Sequence, residues 1–283
     1  MATNGVNGAH SRSAASEKNP SYLPPRFEIR RLEEKHIPWA SAVVIHSNMY
    51  CSPVWPVCYP EKQTQRALDG FKAADYLVRH QVESGMSFGV FDTEYKFKRP
   101  ESEATEGAVY WDDISPDATQ QEMLDAMDNP LATVALAYDG INALDMEKLM
   151  PLIAVLPLFG MLYGILHVLD TRPEESHTPT GPKQFLMRNA TSTRQDYEGF
   201  GLMRKLANFL MREAKLEGFK AINIECLHDA VAHTWSHPPE PFKAELICKF
   251  KLDEWEDKDE KTGEVTHPFK PATQVASKIQ VNL

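Results

Sequence analysis

The chain has 283 residues, 42% of them hydrophobic and 25% charged, with a formal net charge of −10. That length holds one large or two modest domains with a sizeable core, and the composition is that of an ordinary soluble protein. The acidic balance argues against a nucleic-acid partner, which would need a basic footprint, and is compatible with a cationic or amine substrate. Cys51, Cys58, Cys226 and Cys248 show no metal-ligand spacing and follow no secretory signal. Reduced thiols, no metal, and a cytoplasmic or nuclear setting are therefore expected.

Residues 1–25 are small, polar and aperiodic, and are predicted to be a disordered tail preceding one domain over 26–283. Phe27 to Leu32 alternates as a strand, and a helix is predicted over Ile37 to Met49. Tyr50 to Pro60 holds three prolines among aromatics, so it is irregular; it either lines a substrate pocket or plugs the core. A helix over Gln63 to Glu83, a strand over Ser87 to Tyr95, and an acidic surface insertion at about 96–130 follow, the last with a short helix at Gln120 to Met127. Leu131 to Tyr138 reads as a strand.

Leu149 to Leu169 is 21 residues without Asp, Glu, Lys or Arg, which meets the length rule for a membrane span. Pro151, Pro157 and His167, the lack of a positive flank, and strand-like segments on both sides favour a buried apolar helix at about 146–169 instead. Contact with a membrane is thus not expected.

Beyond the Thr171 to Lys183 loop, Phe185 to Thr191 is a strand, and the polar run from Ser192 leads into a glycine turn. From Leu202 an amphipathic helix sets Met203, Leu206, Ala207, Leu210 and Ala214 on one stripe, with Gly218 at its stop. Two glycines ahead of a helix let the backbone approach a ligand and aim free N–H groups at it, as in a phosphate cradle; a ligand-free tight turn has the same sequence. Ala221 to Leu227 alternates as a strand that puts Glu225 with Asn223 on one face and Cys226 with Ile222 and Ile224 on the other. Asp229 is the expected cap of a short helix reaching Trp235. Strands are predicted within Phe242 to Trp255 and over Ser277 to Leu283.

The run Tyr197-Glu198-Gly199-Phe200-Gly201-Leu202-Met203-Arg204-Lys205-Leu206 resembles, in register, the Tyr-Arg-Gly-x-Gly-Ile-Gly-x-x-x-Leu turn of the GNAT superfamily of acyl-CoA-dependent N-acetyltransferases. Where that family shows Asn-x-x-Ala-x-x-x-Tyr after the next strand, this chain has His228, Val231 and Trp235. The likeness is convincing over about 185–245 and only topological over 27–140, and is similar to that of a divergent, fungal-type member.

The resemblance implies an α/β fold, a mixed and largely antiparallel sheet flanked by helices. It also implies acetyl-CoA as co-substrate, with transfer to a small-molecule or peptide amine by direct attack. Residues implied to hold the cofactor are Asn189, Ala190, Thr191 and Ser192 on a splayed strand end, Glu198, Gly199, Phe200, Gly201, Leu202, Met203 and Arg204 at the turn, and His228 and Trp235. The chain departs from the family at Glu198 (Arg or Gln), Met203 (Gly or Ala), Asn223 (a catalytic carboxylate) and Trp235 (the acid tyrosine). Indole N–H donates a hydrogen bond but passes on no proton. Glu225, His228 and His233 are the nearest candidates for acid–base work, and Cys226 is expected to be inert. A catalytically degenerate binding protein on the same fold is the alternative.

Overall fold

Seven strands pair into one sheet in the computed structural model, which describes residues 22–283; the predicted tail lies outside these up to residue 21. In chain order they are β1 (Phe27–Arg31), β2 (Phe88–Asp92), β3 (Leu131–Asp139), β4 (Phe185–Thr193), β5 (Ala221–Cys226), β6 (Lys243–Lys251) and β7 (Val275–Asn282). The spatial order is β1-β2-β3-β4-β5-β7-β6. Every neighbouring pair is antiparallel except β4 and β5. A parallel pair needs a crossover, and the amphipathic helix after the glycine turn supplies it. β3 is apolar almost without interruption and buried on both faces, as a central strand must be. β6 closes one edge with Lys243, Glu245, Lys249 and Lys251, charges that discourage a further strand from pairing there.

The main helices are α1 (Ile37–His46), α2 (Gln63–Ala73), α3 (Asp75–Glu83), α4 (Met146–Val155), α5 (Pro157–Val168), α6 (Leu202–Leu216) and α7 (Asp229–Ser236). Ile222, Ile224 and Cys226 pack with Leu206, Leu210 and Ala214 of α6 and with Trp235 of α7 on one face of the sheet. The other face is covered by α1 to α5. Each Leu of the α6 stripe that is fully buried contributes about 2 kcal/mol.

Three segments differ from expectation. The helix predicted over Gln63 to Glu83 is interrupted at Ala74, although Ala74 N–H still bonds to the Gly70 carbonyl and Val78 N–H to the Ala74 carbonyl, both within 3.0 Å. The apolar stretch is two helices. Leu156 sits at φ −127°, ψ 72°, because Pro157 excludes helical geometry from the residue before it. Among the described residues no helix is long and apolar enough to cross a membrane. Beyond α1 the chain widens into a π-helical turn over Ser47–Cys51, which takes in the first two residues of the proline-broken segment, and Trp55–Cys58 within that segment is a short helix.

Candidate functional site

The site begins where two strands part. β4 and β5 pair from Phe185↔Ala221 to Arg188↔Ile224 and no further, yet β4 runs on to Thr193 beside β3. The β3–β4 register slips between Leu136 and Ala137, leaving Asn189 as the extra, bulged residue. A bulge bends its strand, and here it bends β4 away from β5. The gap is the floor of a cleft of about 450 Å³.

The glycine turn forms one end of that cleft and is held from below. Buried Tyr197 donates its hydroxyl to Asp92 at 2.8 Å, and Asp92 also accepts two bonds from Arg26. Buried Arg194 bonds to Asp196 and, at 2.6 Å, to the Asn129 carbonyl, fixing the polar run before the turn. Gly199 (φ +84°) and Gly201 (φ +67°) both take left-handed geometry, open to glycine at least cost. Gly201 is the N-cap of α6, and among the described residues no side chain caps the helix. The first-turn N–H groups therefore have no partner within α6, and they carry the positive end of its dipole. A second groove continues from Gly201 past Arg204, Lys205 and Arg212, giving an anion a basic path away from the turn.

Of the predicted cofactor residues, Asn189, Ala190, Ser192, Glu198, Gly199, Gly201, Leu202, Met203 and His228 line the cleft. Arg204 lies in the adjoining basic groove. Thr191 and Phe200 do not line the cleft; Phe200 lies on the outside of the turn, 42% exposed, with its ring 5.5 Å from that of Phe27. Trp235 is not available to a ligand either: it is wholly buried, under the cation of Arg188. Cys51 and Ser52, from the proline-broken segment, do reach the cleft, whereas Trp55 is core.

The three acid–base candidates separate. Glu225 is half-buried, lines the cleft, and has the face expected from alternation. Burial raises its pKa above the usual carboxylate range. Its antiparallel neighbour across the strand pair is Lys278, but Asp170 claims that ammonium at 2.7 Å. Asp170, itself held well below the usual carboxylate range by Arg172 and Lys278, thereby leaves Glu225 without a committed cation. His228 also lines the cleft, but it rather than Asp229 is the N-cap of α7: its Nδ1 accepts the Ala230 N–H at 3.1 Å. A neutral imidazole bonded so carries its proton on Nε2, so in this arrangement His228 presents a donor to a ligand. His233 is exposed on α7, its ring stacked near His237 at 4.4 Å, and does not line the cleft. Burial pushes the Cys226 thiol up to about 12, which leaves it unreactive.

Arg188 carried no sequence signal. It is 1% exposed at the point where the strands part, with Nη1 donating to the carbonyls of Leu136 and Ala190, while Nε and Nη2 have no partner among the described residues. Burial without a carboxylate pulls it down to about 9. Among the described residues no three His, Cys, Asp or Glu side chains gather as a metal set.

A mixed seven-stranded sheet, a bulged strand splayed from its parallel neighbour, and a glycine turn at the N-terminus of the crossover helix define the GNAT acyltransferase fold. No family model matches the sequence, and no curated protein matches it. Solved structures do match. The C-terminal condensation domain of Ebony, in complex with beta-alanyl-dopamine, superposes with a TM-score of 0.59 at 16% identity, covering 91% of this chain and 99% of that one. Arylalkylamine N-acetyltransferase 2 from Aedes aegypti gives 0.51 at 14% identity, over 90% of this chain and 97% of that one. A mosquito arylalkylamine N-acetyltransferase, like 5b, gives 0.50 at 14%, over 91% and 100%. The chain has their fold.

Proposed function

We propose that the protein is an acyl-CoA-dependent N-acyltransferase acting on a small amine. The observation that carries the proposal is the joining of three features in one cleft: an open strand edge, an uncapped helix N-terminus and a carboxyl with a raised pKa. The diphosphate of CoA would rest on the first-turn amides of α6, with its nucleotide end towards Arg204, Lys205 and Arg212. The pantetheine arm would pair along β4 from Ser192 to Asn189, as an added strand does. Backbone N–H groups at the bulge would polarise the thioester carbonyl.

The incoming amine nitrogen bonds to that carbonyl carbon, the C–S bond breaks, and the electron pair leaves on sulfur. Glu225 takes the proton the nitrogen sheds, and its raised pKa suits a base working near neutrality. A thiolate is a weak enough base to leave unprotonated, so the burial of Trp235 does not block the step. The neighbours named for arylalkylamines, and the one bound to beta-alanyl-dopamine, support a small-molecule amine as acceptor. Cys51 and Ser52 would touch it, at the side where the proline-broken segment meets the cleft.

A catalytically silent ligand-binding protein is the second reading, favoured by His228 being committed as a cap and His233 lying outside the cleft. Calorimetry with CoA and thiol release across a panel of amines separate the two. Glu225→Gln is expected to lower kcat by about 10²–10⁴-fold with CoA affinity unchanged. Turnover undiminished in that variant removes Glu225 as the base, and absence of CoA binding at millimolar ligand ends the acyltransferase reading.

A further inference from the structure

A second cavity, of about 70 Å³, opens off the cleft beneath α1 and α3. The two share Asn48, Asn189 and Ala190, so its mouth is the bulge itself. Deeper in, its walls are apolar: Ala74, Leu77, Val78, Leu136 and Leu152 are all buried. One polar atom breaks that lining. Gln81 is wholly buried, its Nε2 donates to the Leu77 carbonyl at 3.0 Å, and its Oε1 has no partner among the described residues. Turned round, the amide would set its oxygen against the Leu77 carbonyl oxygen at 3.0 Å, acceptor against acceptor, so the unpaired atom is the oxygen. A water held there would find this oxygen, and the side chains of Ala74, Leu77, Val78, Leu136 and Leu152 offer it no second polar partner, a poor site for water. Asn48 at the mouth is already committed, accepting from Trp55 Nε1 and donating to the Val44 carbonyl.

We infer that this cavity receives the acyl group, and that the donor substrate carries a short acyl chain longer than acetyl and ending in a neutral hydrogen-bond donor, such as a hydroxyl. The inference rests on the acyltransferase reading above. Position decides which reactant enters. Leu136, on β3, lies on one side of the bulge, and Glu225, on β5, lies on the other. An amine that gives its proton to Glu225 attacks from the β5 side, so the chain attached to the carbonyl carbon extends the opposite way, towards Leu136 and α3. Size sets the length. A cavity of about 150 Å³ takes a benzene ring, so this one accepts about three heavy atoms beyond the carbonyl. Chemistry sets the terminus: the unpaired Gln81 oxygen calls for a donor, and a charged ammonium would be costly to place against apolar walls.

Calorimetry and thiol release with CoA, acetyl-CoA, butyryl-CoA and 3-hydroxypropionyl-CoA, in which a hydroxyl replaces the terminal methyl of butyryl, test this. Butyryl-CoA is expected to bind about ten-fold tighter than acetyl-CoA, from two further buried methylenes. The 3-hydroxy form should gain about another five-fold. Gln81→Leu should abolish the hydroxyl preference while keeping the preference for length. Ala74→Leu, which fills the cavity, should remove both and leave acetyl-CoA affinity as it was. Should Ala74→Leu fail to fold, Val78→Ile encroaches on the same space more gently. CoA binding with acetyl-CoA the tightest thioester, length preference unmoved by the cavity-filling variant, or hydroxyl preference unmoved by Gln81→Leu overturns the inference and spares the acyltransferase reading. Failure to bind CoA at all overturns that reading and the inference with it.

Discussion

Lowering the pH through the range of histidine should destabilise this protein, and His36 gives the magnitude. The ring is 4% exposed, between Trp39 and Phe91, and its Nδ1 accepts the Glu33 N–H at 2.9 Å, a bond that only the neutral form can accept. Burial first, and then Lys35 and Arg30, bring its pKa from 6.5 down to about 4. The unfolded chain binds a proton at about pH 6.5 that the folded chain refuses until about pH 4. Stability from this group is therefore complete above the first value and is lost as pH falls towards the second. At about pH 5 the loss is about 2 kcal/mol, rising to about 3 kcal/mol once both forms are protonated. With an m-value of about 3 kcal/mol/M, the urea midpoint at about pH 5 should lie about 0.7 M below that at about pH 8 from this residue alone. His46, also lowered by burial, acts in the same direction, so the assay compares wild type with His36→Gln, whose amide oxygen can still accept from Glu33. The pH-dependent loss should be smaller by about 2 kcal/mol in the variant. Equal losses in both proteins would refute the assignment.

Three further outcomes follow from the site. Gly201→Ala places a Cβ whose nearest neighbour is the flexible Lys205 Nζ at 3.5 Å, so its cost is the left-handed backbone, about 1–2 kcal/mol. Thermal melting should fall by about 2–4 °C for each kcal/mol, and an unchanged melting temperature would contradict the turn geometry. Asp170→Asn releases Lys278 to its cross-strand neighbour Glu225 and lowers the carboxyl's pKa. The acid limb of the kcat/KM profile should move to lower pH, and a fixed limb would show that Glu225 is not what titrates. Arg188→Met removes a buried cation lacking a carboxylate at the expense of two bonds to carbonyls. Chemical denaturation should put it within about 1 kcal/mol of wild type, and a loss above about 3 kcal/mol would mean that the guanidinium is better satisfied than its contacts indicate.

What the sequence made legible was whatever repeats along a short stretch. The α6 stripe and the alternation of β5 are single-element periodicities, and they put Glu225 on the cleft side and Cys226 in the core without knowledge of any neighbour. The turn glycines were legible because their positive φ angles exclude most other residues. Other features depend on contacts between distant segments. The slip at Asn189 is a property of β3 and β4 together, and the fate of Lys278 is decided by Asp170 on a loop far earlier in the chain. His228 illustrates the difference most sharply. Its place in the motif suggested chemistry, but the proton inventory of its ring is set by one backbone N–H two residues on. At 149–169 the buried apolar helix expected is two, because Pro157 acts on the residue before it and hydropathy carries no trace of the resulting break.

The short ladder between β4 and β5 has a mechanical consequence. Among the described residues, four pairs, Phe185↔Ala221 through Arg188↔Ile224, are the only strand pairing that joins a four-stranded half of the sheet to a three-stranded half. That ladder is a seam, and a seam opens before the panels it joins. A molecule lying in the gap with its amides against β4 and its body against β5 would act as a rivet across it. Amide exchange at Asn189 to Ser192 should then slow more on ligand binding than exchange within β3, although β3 lies deeper in the sheet.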